Sequence, residues 1–139
     1  MTRFVLDTSV TMAWCFEAQS DEYCKRVLRS LDEYQAVAPQ LWILEVVNIL
    51  IVAERRNRLR SEQSLEFLES LWRLPIDVES NIGKMTFAHE VIRVSRANGL
   101  TSYDGAYLEL AGRRSLPLAT RDQALRRAAI RSGVPLFLE

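Results

Sequence analysis

The sequence predicts an α/β fold, a three-layer α/β/α sandwich around a central, mostly parallel sheet. Three observations lead there. Short apolar runs suited to buried strands alternate with longer stretches of helical periodicity over all 139 residues. Turn and capping residues separate them, as connections between strand and helix require. A content of 48% hydrophobic and 26% charged residues supplies one sizeable core, so residues 1–139 are read as a single domain.

Residues 4–6 form an apolar strand ending at Asp7, and Val10, Met12, Ala13, Trp14 and Phe16 continue as a short apolar helix. Residues 21–31 place Tyr23, Val27, Leu28 and Leu31 at helical spacing, and residues 36–38 read as a strand stopped by Pro39. Residues 41–56 form a long helix, apolar nearly all round and expected to be buried; its apolar stretch over 41–53 is too short for a membrane span. After an arginine-rich connection, Ser61 is expected to cap a helix whose Leu65, Leu68, Leu71 and Trp72 share a face. Residues 74–78 suit a strand and 82–98 an amphipathic helix with its stop at Asn98 and Gly99. Ser102 is expected to cap a helix over 102–114, followed by a strand at 116–120, a helix at 122–132 ended by Gly133, and a last strand at 134–138.

Composition narrows the chemistry. Eighteen basic residues balance eighteen acidic ones, so the strong positive field of a nucleic-acid coat protein is missing, and any such binding has to be local. Nearly all basic residues are arginine, the better bidentate match to phosphate, with Lys25 and Lys84 the exceptions. Cys15 and Cys24 with no secretory pattern at the N-terminus imply reduced thiols and a cytoplasmic setting. One histidine, His89, excludes a two-histidine acid/base pair and is expected to lie on the surface or in packing. Two cysteines and one histidine cannot build a conventional four-ligand zinc site, and GxxxxGK[ST], GxGxxG and GxSxG sequences are all missing.

Four acids stand apart. Asp7 ends a buried strand, where an open parallel sheet presents groups to ligands, although an acid there also serves as a helix cap. Asp122 repeats that arrangement after Thr120. Asp104 lies in the first turn of its helix, where the helix dipole favours a carboxylate whatever its role. Glu45 interrupts an apolar helix, where a carboxylate needs a partner or a metal; Asn48, one turn on, is a candidate partner. Gathered at one sheet edge, the four would hold hard cations such as Mg²⁺ or Mn²⁺ and support phosphodiester hydrolysis by metal-activated water. Arg55, Arg56, Arg58, Arg60, Arg113, Arg114, Arg121, Arg126, Arg127 and Arg131 are candidate phosphate contacts.

The segments FVLDTSV around Asp7, PQLWILEVVNIL around Glu45 and Asn48, TSYDGAYLELA around Asp104 and LPLATRDQALRRAA around Asp122 resemble, in that order, the PIN-domain ribonucleases. Within them the chain is most similar to the VapC-like toxins of toxin–antitoxin pairs. The resemblance implies a Mg²⁺- or Mn²⁺-dependent endoribonuclease, with Asp7 and Asp104 as principal ligands and Glu45 and Asp122 completing the pocket. It further implies supporting roles for Thr8 and Thr120, and for Ser9 and Asn48 behind them, together with a cognate antitoxin and a homodimer. Gly105 departs from the alanine usual at that place. The alternatives are a non-catalytic PIN-like module binding RNA or protein, and a different metal-dependent phosphohydrolase. Ser9 stands where a haloacid-dehalogenase-type phosphatase needs its second Asp, and no lysine follows Lys84 to serve a receiver domain.

Overall fold

The computed structural model describes residues 2–16, 19–80 and 82–139. Along them run β1 (Thr2–Leu6), α1 (Thr8–Ala13), α2 (Glu22–Ser30), β2 (Tyr34–Ala38), α3 (Leu41–Arg55) and α4 (Ser61–Trp72). Then come β3 (Ile76–Val78), α5 (Lys84–Asn98), α6 (Ser102–Arg114), β4 (Leu118–Ala119) and α7 (Gln123–Arg131).

The four strands pair in the order β3-β2-β1-β4, every pair parallel, with Phe4 opposite Ala36 and Leu6 opposite Ala119. Consecutive residues Phe4, Val5 and Leu6 point to opposite faces, yet all are fully buried, as are Ala36, Val37 and Ala38. Both faces of the sheet are therefore covered by helices, which makes the α/β/α sandwich. Trp42, Tyr107, Leu71, Leu110 and Leu125 bring core side chains from α3, α4, α6 and α7.

The chain winds outward from β1 to β2 and β3, then returns across the sheet through α5 and α6 to place β4 on the other side of β1. The strand order thus reverses between β1 and β4. In open parallel sheets the crevice at such a reversal, beyond the carboxyl ends of the strands, receives ligands. Asp7 follows β1 there and Thr120 follows β4, and the Asp7 backbone N–H donates to the Ala119 carbonyl at 3.0 Å.

Several expectations are corrected. Residues 134–138 form no strand: Leu136 makes one isolated parallel bridge to Leu118, and Leu138 turns away in a left-handed conformation. Helix α3 is apolar on two sides but buries only one, through Trp42, Val46, Leu50 and Ala53, while Leu44 is 73% exposed. Leu65 and Trp72 of α4 are likewise exposed, whereas Leu71 is buried as expected and Ser64 is buried with it. The caps lie one residue earlier than expected. Thr101, not Ser102, caps α6 by accepting the Asp104 N–H at 3.2 Å, and before Ser61 the Arg60 N–H donates back to the Gln63 side chain at 2.9 Å. His89 is exposed on α5, as expected, and Cys15 and Cys24 are both free thiols. No helix among the described residues is long and apolar enough to cross a membrane.

Candidate metal centre

Asp7 occupies the N-cap position of α1, yet its side chain caps nothing. Two hydroxyls converge instead on its Oδ2: Ser9 Oγ donates at 2.6 Å and Thr120 Oγ1 at 2.7 Å. Each hydroxyl is itself held. Ser9 Oγ accepts the Arg121 N–H at 2.9 Å, and Thr120 Oγ1, fully buried, accepts the Asp122 N–H at 3.0 Å. The carboxylate is only 5% exposed, and burial raises its pKa above the usual range. The Ser9 and Thr120 hydrogen bonds oppose that rise, and the charge of Glu45 adds to it.

Glu45 projects from the first half of α3, half-buried rather than enclosed. Its Oε1 accepts from Thr8 Oγ1 at 2.9 Å and from the Tyr107 hydroxyl at 2.6 Å. Tyr107 is fully buried, and its ionisation is pushed far up by burial and by the charges of Asp7 and Glu45, so it stays a donor. Sequence reasoning passed over this residue as one more aromatic in an apolar helix. The signal available was its spacing: three residues after Asp104, it shares a helix face with it.

Asp104 sits in the first turn of α6, half-buried, and its carboxylate accepts no hydrogen bond among the described residues. Burial first, then the charges of Asp7 and Asp122, push its pKa up to about 6. Asp122 does cap α7, its Oδ1 accepting the Leu125 N–H at 2.8 Å. Electrostatic coupling thus runs from Glu45 to Asp7 and on to Asp104 and Asp122, four acids from four separate elements.

Among the described residues, none of the four forms an ion pair with an arginine or lysine. Nor do any three His, Cys, Asp or Glu side chains there already stand as a ready-made cage for a metal ion. The donor set is purely carboxylate and hydroxyl, the chemistry preferred by hard divalent cations. Burial first, and the charges of neighbouring acids after it, raise the pKa values of Asp7 and Asp104, so the charged forms are disfavoured without a counter-charge. By donor chemistry the residues suit a hard divalent cation.

Asn48 does not join this group. It is exposed, makes no hydrogen bond to Glu45 among the described residues, and lines a separate cleft of about 650 Å³ with Phe16, Arg56 and Arg58. The arginines divide as well. Arg113 is engaged by Glu79 and Glu109, each at 2.6 Å, and Arg114 approaches Glu79 at 3.8 Å, so these two serve the protein's own acids.

A family model described as PIN domain matches residues 4–131. The chain is 28% identical over 127 residues to a protein named Ribonuclease VapC3 from Pyrobaculum aerophilum, covering 88% of this chain and 92% of that one. Its fold is similar to VapBC2 from Rickettsia felis, solved bound to a DNA fragment from its promoter, with a TM-score of 0.67, 12% identity and 97% of each chain covered. It is also similar to FitAcB from Neisseria gonorrhoeae, with a TM-score of 0.57, 19% identity and 96% of each chain covered.

Proposed function

The chain belongs to the PIN domain family, and on that premise we propose that it is a divalent-metal-dependent endoribonuclease, the toxin of a VapBC-type toxin–antitoxin pair. The observation that carries this reading is the set of four electrostatically coupled carboxylates, free of protein cations among the described residues, where the strand order reverses.

Asp7 and Asp104 would be the principal ligands of Mg²⁺ or Mn²⁺, with Glu45 and Asp122 completing the pocket. When bound, such ions supply the Lewis acidity that makes a water nucleophilic and neutralises charge on the attacking and leaving oxygens. The chain's own side chains do the positioning. Ser9 and Thr120 fix Asp7 through Oδ2, and both are tied to the backbone at residues 121 and 122. Thr8 and Tyr107 fix Glu45 through Oε1. Asp104, without a hydrogen-bond partner among the described residues, is the acid freest to move toward an ion.

The similar fold of a toxin–antitoxin complex from Klebsiella pneumoniae, with a TM-score of 0.57, 18% identity and 86% of each chain covered, supports an antitoxin partner for this chain too. A second copy is a further expected partner, and the exposed apolar side chains Leu44, Ile51, Leu65 and Trp72 on α3 and α4 would suit a protein interface. The setting is the cytoplasm, where antitoxin and RNA are both at hand.

The purified protein is expected to cut single-stranded or structured RNA in Mg²⁺ or Mn²⁺, and EDTA or Asp7→Asn to abolish cutting. Undiminished cleavage by that variant without metal would sink the proposal. RNA binding without cleavage under any divalent ion would favour the non-catalytic module instead.

A further inference from the structure

On either side of Asp122 in the chain, Arg121 and Gln123 line a polar cleft of about 420 Å³ together with Asp21, Tyr23, Arg126 and Glu139. We propose that it is a phosphate subsite for the RNA strand, with Arg121 as its ligand arm; the assignment rests on the ribonuclease reading.

Electrostatics requires a device of this kind. A polyanion brought to four carboxylates is repelled wherever metal does not screen it, so a cation has to hold a neighbouring phosphate. Arg121 is registered to the reacting position through its main chain. Its backbone N–H donates to Ser9 Oγ at 2.9 Å, and that hydroxyl donates to Asp7 Oδ2 at 2.6 Å. The main chain at Arg121 is thus anchored to the hydrogen-bond network that holds Asp7.

The present partner of Arg121 is weak and exchangeable. Nε approaches Asp21 Oδ2 at 3.4 Å, and the two side chains are 32% and 50% exposed. Exposed pairs of this kind contribute little in water. Oδ1 of Asp21 is occupied in capping α2, accepting the Cys24 N–H at 2.8 Å. A phosphate offers the guanidinium fork two oxygens, a better match than one shared carboxylate oxygen.

Arg126 forms the floor and is not free to leave. It donates to the Thr120 carbonyl at 2.8 Å, pairs with Glu139 at 2.9 Å and lies over the Tyr23 ring at 5.5 Å. Its charge is matched by Glu139, so Arg121, whose own pairing is the looser one, makes the contact.

The test uses the full chain and a fluorescein-labelled single-stranded oligoribonucleotide. Binding is followed by anisotropy in EDTA over a range of KCl, and cleavage kinetics are followed in Mn²⁺. Arg121→Ala is expected to weaken binding about tenfold, as for loss of one charge-assisted contact, and to flatten the log–log salt slope by about 0.7. KM should rise while kcat is retained. Asp21→Asn keeps the cap, because asparagine caps equally well, but frees the arginine, and it should tighten binding. Wild-type cleavage with an unaltered KM and salt slope in Arg121→Ala overturns the subsite alone. If Arg121→Ala fails to fold, absence of any gain in Asp21→Asn overturns it. A wild-type chain that neither binds nor cuts RNA overturns the ribonuclease reading and the subsite together.

Discussion

The Tyr107 hydroxyl stands 2.6 Å from Oε1 of Glu45 and 2.7 Å from Oγ1 of Thr8, which itself lies 2.9 Å from the same Glu45 oxygen. Three elements, α6, α3 and α1, therefore meet at one carboxylate oxygen. Both hydroxyls act on Oε1, so the rotamer of Glu45 is set before a metal arrives. Tyr107→Phe removes one of these donors without changing the packing volume much. Stability should fall by about 1 kcal/mol, the usual net worth of one hydrogen bond. Half-saturating Mn²⁺ in cleavage assays should rise severalfold. A melting temperature and metal titration equal to wild type would show that Thr8 suffices.

Glu45→Gln keeps the shape and removes the charge. Because Glu45 repels Asp7, neutralising it relieves the metal-free fold while taking away a proposed ligand. Metal affinity by calorimetry should drop, whereas stability in EDTA should stay within about 1 kcal/mol of wild type. Unchanged metal binding would count against Glu45 as a ligand.

The pKa of Asp104, raised from 3.8 to about 6, predicts a pH dependence of definite sign. Between those values the folded state holds more protons than the unfolded one, so metal-free stability rises as pH falls from about 6 toward 4. Asp104→Asn should abolish that part of the slope and be the more stable form at about pH 7 without metal. Metal must displace the same proton, so affinity should fall as pH drops through about 6. Thermal melts in EDTA and metal titrations on either side of that pH test both statements, and parallel wild-type and variant melting curves would refute them.

Arg113 holds two carboxylates that are almost fully buried, with Glu79 9% and Glu109 4% exposed at the side chain. Removing their counter-charge strands Glu109 and leaves Glu79 with only the 3.8 Å approach of Arg114. Arg113→Ala should destabilise by about 2 to 3 kcal/mol, below the full penalty for a broken buried pair because Arg113 is partly exposed. Denaturant unfolding measures this, and simultaneous Glu79→Gln and Glu109→Gln replacement should recover part of the loss. Salt dependence of RNA binding should change little at this residue.

Gly105 follows Asp104 and lies against Ser95 of α5 so closely that an added Cβ would meet Ser95 Oγ at 2.0 Å and Ser95 Cβ at 3.2 Å. The Ser95 hydroxyl would have to rotate away from the Thr101 carbonyl, which it contacts at 3.4 Å. Alanine improves helix propensity by about 1 kcal/mol, but overpacking costs about 1 to 3 kcal/mol, so Gly105→Ala should be neutral to destabilising. Adding Ser95→Ala should restore stability. The alanine expected from the resemblance is thus disfavoured here by one neighbouring side chain, and a stabilised single variant would disprove it.

Much of the fold was legible because it rests on local periodicity. Among the described residues, eleven strands and helices follow the order of apolar runs and breakers, and Gly99 and Gly133 mark left-handed stops. The last strand failed because Val134, Leu136 and Leu138 read alike as strand residues, whereas pairing depends on a neighbour and here ends after one bridge. The burial of α3 was overstated for a related reason. Apolar side chains on both sides of a helix do not say which side the sheet will cover, and Leu44 remains in water.

The four acids could be named from the sequence because each breaks a local pattern or sits at an element boundary. Their company could not. That Asp7 binds Thr120 rather than capping its own helix, that Glu45 is held by Tyr107 and Thr8, and that Arg113 serves Glu79 while the Arg121 backbone donates to Ser9 were all decided by the tertiary structure. These contacts join residues far apart in the chain, across a sheet whose order reverses between β1 and β4. Spacing along one element carries no record of them, because they arise only when separate strands and helices are packed on the same core.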